Sequence, residues 1–288
     1  MKKHVSILAM TVLLGGCALA DDLAENKDKT TTQTEPPKDQ KPGSEPVDAQ
    51  KEQPANQADQ NRGEKPEKDP VDPDLTLEAA YFNEIVEANG KKEIANPDNI
   101  LVLVNKEFSL PAGYAPGDLV RPKVAFSFGE QDIEKSYLRK EAAEALEQMF
   151  QAAAKEGIQL YASSGYRSYG RQQAIFQNEI EQVGEEKAAQ VVAIPGSSEH
   201  QTGLTMDITS ESAQFALSEK FGEMKEGEWL RNKAHLYGFI LRYPKGKENI
   251  TGYSYEPWHF RYVGKKAAKV IFERNWTLEE YFENVAKI

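Results

Sequence analysis

The chain has 288 residues, with 46 acidic against 35 basic side chains and a net charge of −11. Its single cysteine, Cys17, excludes an intramolecular disulfide, and the acidic balance, with neither a basic run nor an internal repeat, argues against nucleic acid as a partner. No feature of the sequence points to an obligate protein partner.

Lys2 and Lys3 precede an apolar run from Val5 to Leu14 that is too short to span a bilayer. That is the layout of a secretory signal over residues 1–20, and Leu14-Gly15-Gly16-Cys17 resembles a bacterial lipobox. Lipid attachment at Cys17 and a membrane-tethered, extracytoplasmic protein are therefore expected. Residues 21–74 contain no aromatic residue and no isoleucine, and they hold eight of the chain's 15 prolines. With fifteen acidic and eight basic residues, this stretch also carries most of the net charge. It cannot bury enough apolar surface to offset chain entropy, so a disordered linker is expected.

Residues 75–288 have the size and aromatic content of one globular domain. Leu138, Ala142, Leu146, Met149, Phe150 and Ala153 follow helical spacing, and Gly157 is placed to end that helix. Ile158, Leu160 and Ala162 alternate as a strand that runs into Ser163-Ser164-Gly165-Tyr166-Arg167. A second helix is predicted from about Tyr169, with Ile175, Phe176, Ile180 and Val183 on its buried side. Arg167 then falls in a strand-to-helix loop, where functional side chains are often displayed.

From Leu204 the chain alternates again. Leu204, Met206 and Ile208 face a core, while Thr205, Asp207 and Thr209 point the other way, as in a half-buried strand. Gly203 permits a sharp turn before this strand, so His200 can fold back toward Asp207. Residues 226–237 read as a helix ending at Gly238, with His235 as a favourable cation in its last turn. Phe239 to Tyr243 read as a strand ended by Pro244, and residues 245–249 as a connection.

Glu256 and His259 follow. An odd separation would place them on opposite faces of an unbroken strand, but Pro257 belongs at an edge or bulge, where the alternation slips and both can approach one centre. Two imidazoles, His200 and His259, with the Asp207 carboxylate leave a tetrahedral Zn²⁺ with an open position, the arrangement of a catalytic site. Glu256 is then free to act as base. The tail from Lys265 reads as helical, with Ala268, Ile271 and Phe272 packing back, Trp276, Tyr281 and Phe282 covering the core, and no chemistry of its own.

The run from Ser198 through His200 and Gly203 to Asp207, with Glu256-Pro257-Trp258-His259 some fifty residues later, resembles the VanY-type D-alanyl-D-alanine carboxypeptidases. Agreeing pieces are Ser164-Gly165-Tyr166-Arg167-Ser168-Tyr169 with Gln172, the run from Tyr237 to Pro244, and Ile100 to Asn105 leading to Asp118-Leu119-Val120. The likeness spans roughly residues 97–264, and Thr205 departs from it where alanine is usual; a small residue there is expected to be tolerated with slight crowding of the pocket. The resemblance implies an α+β domain of the hedgehog/DD-peptidase zinc fold, with a small antiparallel sheet flanked by helices. It implies one Zn²⁺ per chain held by His200, Asp207 and His259, with Glu256 as catalytic base. Arg167 would hold the terminal carboxylate of a peptidoglycan stem peptide, Gln172 and Ser198 would touch substrate, and Trp258 would line the pocket or pack beside it. Release of a C-terminal D-alanine is the implied activity. An L,D-carboxypeptidase, a D-Ala-D-Ala dipeptidase and a non-catalytic wall-binding lipoprotein remain open alternatives.

Overall fold

The computed structural model describes residues 72–88 and 90–288. The signal segment, Cys17 and nearly all of the expected linker lie outside the described residues. Asp72 and Asp74, at the start of the described chain, reach Arg274 and Lys269.

Among the described residues, six short strands precede the first α-helix: β1 (Thr76–Leu77), β2 (Ile85–Ala88), β3 (Lys91–Ile94), β4 (Phe108–Ser109), β5 (Leu119–Val120) and β6 (Leu138–Arg139). They form small peripheral pairings, in which β1 is matched by the terminal strand β11 (Ala286–Lys287). Leu138 pairs with Val120 in β6, so helix α1 (Lys140–Lys155) starts two residues later than the apolar spacing predicts. Its Ala142, Leu146, Met149, Phe150 and Ala153 are buried as that spacing requires.

The functional frame is an antiparallel sheet of four strands, β7 (Tyr161–Ser164), β8 (Thr205–Thr209), β9 (Phe239–Leu241) and β10 (His259–Tyr262), in the order β7-β8-β10-β9. Ala162, Met206, Ile208, Phe239, Phe260 and Tyr262 present one apolar face, which packs with α1 and with Phe221, Trp229 and Leu230 in the main core. Phe260 is fully buried, and truncating it to alanine costs about 3–5 kcal/mol through lost contacts and the cavity left behind.

The opposite face carries Thr205, Asp207, His259 and Arg261, and these side chains too are buried. The expected half-buried strand β8 is therefore buried on both faces. The segment around Ile100 and Val102 covers the Arg261 end of this side, where its two carbonyls accept from Arg261 Nη2 at 3.1 and 2.8 Å. A polar face so covered keeps its donors and acceptors paired inside the protein.

Helix α2 (Tyr169–Val183) begins at Ser168, whose hydroxyl accepts from the Arg171 amide. Its expected buried stripe is not buried. Ile175, Phe176 and Ile180 are half-covered, Val183 is exposed, and the one buried residue is Gln172. The helix lies at the rim of a cavity beside α3 (Glu185–Val191), so its apolar side meets a cleft where a core had been expected.

Helix α4 (Lys225–Lys233) continues into a 3₁₀ turn over Ala234–Tyr237, and the 245–249 connection runs into the short helix α5 (Glu248–Thr251). His235 is not the expected cation: its ring stacks flat on Phe272 at 3.7 Å, and burial lowers its pKa. Helices α6 (Gly264–Arg274) and α7 (Leu278–Asn284) pack through Ala268, Ile271, Leu278 and Tyr281 into a second apolar cluster that includes Ile240 of β9. Phe272, expected to pack inward, is 43% exposed and stacks on His235.

Candidate metal centre and peptide cavity

One 3₁₀ turn and two strands deliver the candidate ligands. Residues Glu199–Thr202 form a single 3₁₀ turn that ends on Gly203 in the left-handed region (φ 65°), and β8 leaves directly from it. A side chain at Gly203 would press on Leu119 and Arg139. This reversal sets His200 beside Asp207, two residues into β8 on its polar side. His200 Nδ1 lies 2.8 Å from the carbonyl of Gly165, leaving Nε2 to face Asp207 at 3.5 Å. Gly165 is itself constrained, since a Cβ there would collide with the Tyr137 carbonyl and the Met206 side chain.

The third ligand enters from β10, where His259 is paired directly opposite Asp207. Glu256 and Pro257 do not form a slipped strand as expected. They lie in a turn before β10, closed by the His259 amide on the Glu256 carbonyl at 3.1 Å. Alternation therefore does not apply, and the turn brings Glu256 Oε2 within 3.6 Å of His259 Nδ1.

His200, Asp207 and His259 are all buried, and one donor atom from each lies within 4.8 Å of the other two. His259 Nδ1 stands 3.1 Å from Asp207 Oδ1, yet that oxygen has no hydrogen-bond partner. A buried, orphaned carboxylate oxygen facing two imidazole nitrogens fits a divalent cation: the donor set suits Zn²⁺, and Glu256 stands on the side the three ligands leave open. Burial, with Arg167 and His259 adding to it, lowers the His200 pKa to about 3 against the pull of Asp207, so this ring is neutral. Burial opposes charge on His259 as well, but Asp207 and Glu199 outweigh it and raise its pKa to about 9 in the metal-free protein. Burial pushes the Glu256 carboxyl up, helped by Asp207 and Glu199 and opposed by His259 and Arg167.

A cavity of about 210 Å³ opens in front of these groups. The metal and substrate residues expected from the sequence line it: Arg167, Gln172, Ser198 and Trp258 as well as the three candidate ligands and Glu256. Trp258 both lines the cavity and packs on the main core. Arg167 bonds Gln172 Oε1 at 2.9 Å and Ser164 Oγ at 3.4 Å, both neutral groups, and makes no ion pair among the described residues. Burial lowers its pKa, with Asp207 acting in the opposite sense. A desolvated guanidinium with only neutral partners is a ready receptor for a carboxylate. Thr205 does not crowd this pocket; its hydroxyl turns toward Glu199, behind the histidines.

Sequence reasoning missed the groups behind the centre. Glu199 is buried between Arg242 and Arg261, and Tyr243 lies against the His259 ring at 4.7 Å. Burial raises the carboxyl pKa of Glu199, but the two arginines and His259 hold it well below the usual carboxylate range. The available signal was an arginine inside each of two otherwise apolar runs, Phe239-Ile240-Leu241-Arg242 and Phe260-Arg261-Tyr262.

A four-stranded sheet that presents a histidine and an aspartate, with a second histidine from the turn before β8, to a cavity lined by a glutamate and an arginine with no ion pair among the described residues defines a peptidase of the α+β class. Residues 135–265 match the family model VanY, described as D-alanyl-D-alanine carboxypeptidase. Over 282 residues the chain is 50% identical to YodJ of Bacillus subtilis (strain 168), covering 98% of this chain and 95% of that protein. The structure of the LD-carboxypeptidase LdcB superposes with a TM-score of 0.73 at 60% identity, covering 74% of this chain and all of that one. The D,D-pentapeptidase VanY of a VanB-type resistance cassette, in complex with Zn(II), gives 0.51 at 32% identity over 64% of this chain and 98% of that one. The chain belongs to the VanY family of carboxypeptidases and has its fold.

Proposed function

We propose that this protein is a zinc-dependent carboxypeptidase that releases the C-terminal D-alanine of peptidoglycan stem peptides. The observation that carries the reading is the convergence of His200, Asp207 and His259 on one point with Glu256 at its open side. His200 through Nε2, Asp207 through its carboxylate and His259 through Nδ1 would hold one Zn²⁺, as the family's Zn(II)-bound member supports. When bound, zinc supplies a Lewis acid that acidifies water and polarises a carbonyl.

The remaining work falls to side chains of this chain. Glu256, with its raised pKa, takes the proton of the attacking water and returns it to the leaving amine. Arg167 grips the terminal carboxylate, so only the last peptide bond lies within reach of Glu256. Gln172 fixes the guanidinium by its 2.9 Å bond, and Ser198 stands on the same wall. A structural metal site in a binding module has no use for Glu256 in this position, which favours the enzyme over the non-catalytic reading.

D-alanine is joined in stem peptides through either a D,D or an L,D bond. The D,D reading follows from the motif resemblance. The second, cleavage of the L,D bond of a tetrapeptide, is favoured by the higher identity and closer superposition with LdcB than with VanY. We take L,D cleavage as the main activity. Mass spectrometry of products from tetrapeptide and pentapeptide stems tests it: loss of one alanine from the tetrapeptide, abolished by Glu256→Gln, is expected. Faster cleavage of the pentapeptide restores the D,D reading, loss of a dipeptide indicates a dipeptidase, and two intact substrates refute the enzyme. Lipid anchoring at Cys17 is proposed from the sequence, and loss of radiolabelled palmitate incorporation in Cys17→Ala checks it.

A further inference from the structure

Each imidazole of the centre has a second nitrogen, and the two are treated differently. His200 meets a neutral carbonyl, that of Gly165, whereas His259 Nε2 lies 3.3 Å from the carboxylate of Glu199. A neutral imidazole carries one proton, and its position follows the partner of the outer nitrogen. For His259 to offer its Nδ1 lone pair beside Asp207, the proton must reside on Nε2, and Glu199 is the acceptor that holds it there.

Glu199 is in turn fixed. Its Oε1 accepts from Arg242 Nε and Arg261 Nη1, each at 2.8 Å, leaving Oε2 for the histidine. Two fully buried arginines carry twice the charge that one carboxylate can balance. The second counter-charge comes from the C-terminal helix, where Glu279 accepts from Arg242 Nη1 and Nη2 at 2.8 and 2.6 Å. Two carboxylates and two guanidiniums then form a neutral buried cluster, so charge at the metal centre is left to the ion, Asp207 and Glu256.

We infer that Glu199, with Glu279 of α7 behind it, is a positioning pair that sets the tautomer and orientation of His259, making the C-terminal helix part of the metal centre. This rests on His259 being a metal ligand, as proposed above. Glu279 is absent from the cavity wall; Glu199 borders the cavity, but its side chain is fully buried and turned to His259 and the two arginines.

The test measures zinc affinity of the full chain by competition with a chromophoric chelator, alongside the ¹⁵N-edited resonance of the His259 Nε2 proton in the zinc-loaded protein. Glu199→Asp keeps the charge between the arginines but withdraws the carboxylate from the histidine. Glu279→Gln removes the far charge while keeping the side-chain shape. Zinc affinity is expected to fall about 10- to 100-fold in Glu199→Asp, with the Nε2 proton signal shifted or lost, and about tenfold in Glu279→Gln. Glu280→Gln is the control, because Glu280 caps the same helix and binds Lys247 outside the cluster; its zinc affinity should match that of the unmodified protein. Both cluster variants holding zinc within twofold, with an unmoved Nε2 signal, overturn the inference, as does an equal loss in Glu280→Gln. His200→Ala separates this from the metal reading itself: if that variant keeps full zinc affinity, the centre is misassigned whatever the glutamates do.

Discussion

Replacing Arg167 by alanine tests the proposed grip on the terminal carboxylate, the step that would make this peptidase a carboxypeptidase. The guanidinium is withdrawn from solvent, has Gln172 and Ser164 as its bonding partners, and makes no ion pair among the described residues, so its strongest interaction is reserved for a ligand. A buried, two-pronged bond to a carboxylate is worth about 3 kcal/mol, within the 2–5 kcal/mol range for desolvated charge pairs. That corresponds to a fall of about 10²-fold in kcat/KM. The assay is release of D-alanine from a stem tetrapeptide, run beside the same peptide with its C-terminal carboxylate amidated. The unmodified enzyme on the amide should lose about as much as Arg167→Ala on the acid, and the variant should lose little more on the amide, because both changes remove one interaction. Arg167→Lys should recover part of the rate, since it keeps the charge without the fork. Two results would refute the reasoning: additive losses in the double comparison, or a parallel loss of bound zinc or thermal stability in Arg167→Ala.

Other consequences can be measured separately. Glu256→Gln should retain zinc and lower kcat by about 10²- to 10⁴-fold, the usual contribution of a general base; near-normal turnover with zinc bound would show that the base is elsewhere. Zinc uptake at neutral pH should release about one proton, because His259 is protonated in the metal-free protein up to about pH 9 while His200 is already neutral. Calorimetry in buffers of different ionisation enthalpy counts it, and no release contradicts the assignment. The same raised pKa gives the metal-free protein stability that is complete below pH 6.5 and is lost as the pH rises through about 9, read as a falling melting temperature over that window. Gly165→Ala should destabilise the fold by about 1–3 kcal/mol through overpacking against Tyr137 and Met206, measured by denaturant unfolding; an unchanged midpoint would refute that steric argument.

The sequence made the strand of Asp207 legible because Leu204, Met206 and Ile208 alternate with polar residues and Gly203 marks its start. His200 and His259 were readable for a related reason: each lies beside a local signal, the glycine turn in one case and Pro257 in the other. Local pattern did not reveal what stands behind them. Glu199 finds its arginines 43 and 62 residues further on, and the far carboxylate arrives from α7, so no window of sequence contains the cluster. Helix α2 shows the opposite failure. Its apolar spacing was visible, but periodicity reports that one side is apolar without saying whether a core or a substrate cavity lies beneath it. The polar face of β8 is closed for the same kind of reason, since Thr205 meets Glu199 and Asp207 meets the cavity only in the tertiary structure.

The central claim is that His200, Asp207 and His259 share one divalent ion with an open side toward Glu256. Anomalous diffraction from zinc-loaded crystals, recorded on both sides of the zinc absorption edge, tests it most directly. One peak per chain is predicted, bonded to His200 Nε2, the Asp207 carboxylate and His259 Nδ1, with no fourth protein ligand. A peak elsewhere, or one enclosed on every side by protein atoms, would contradict the account.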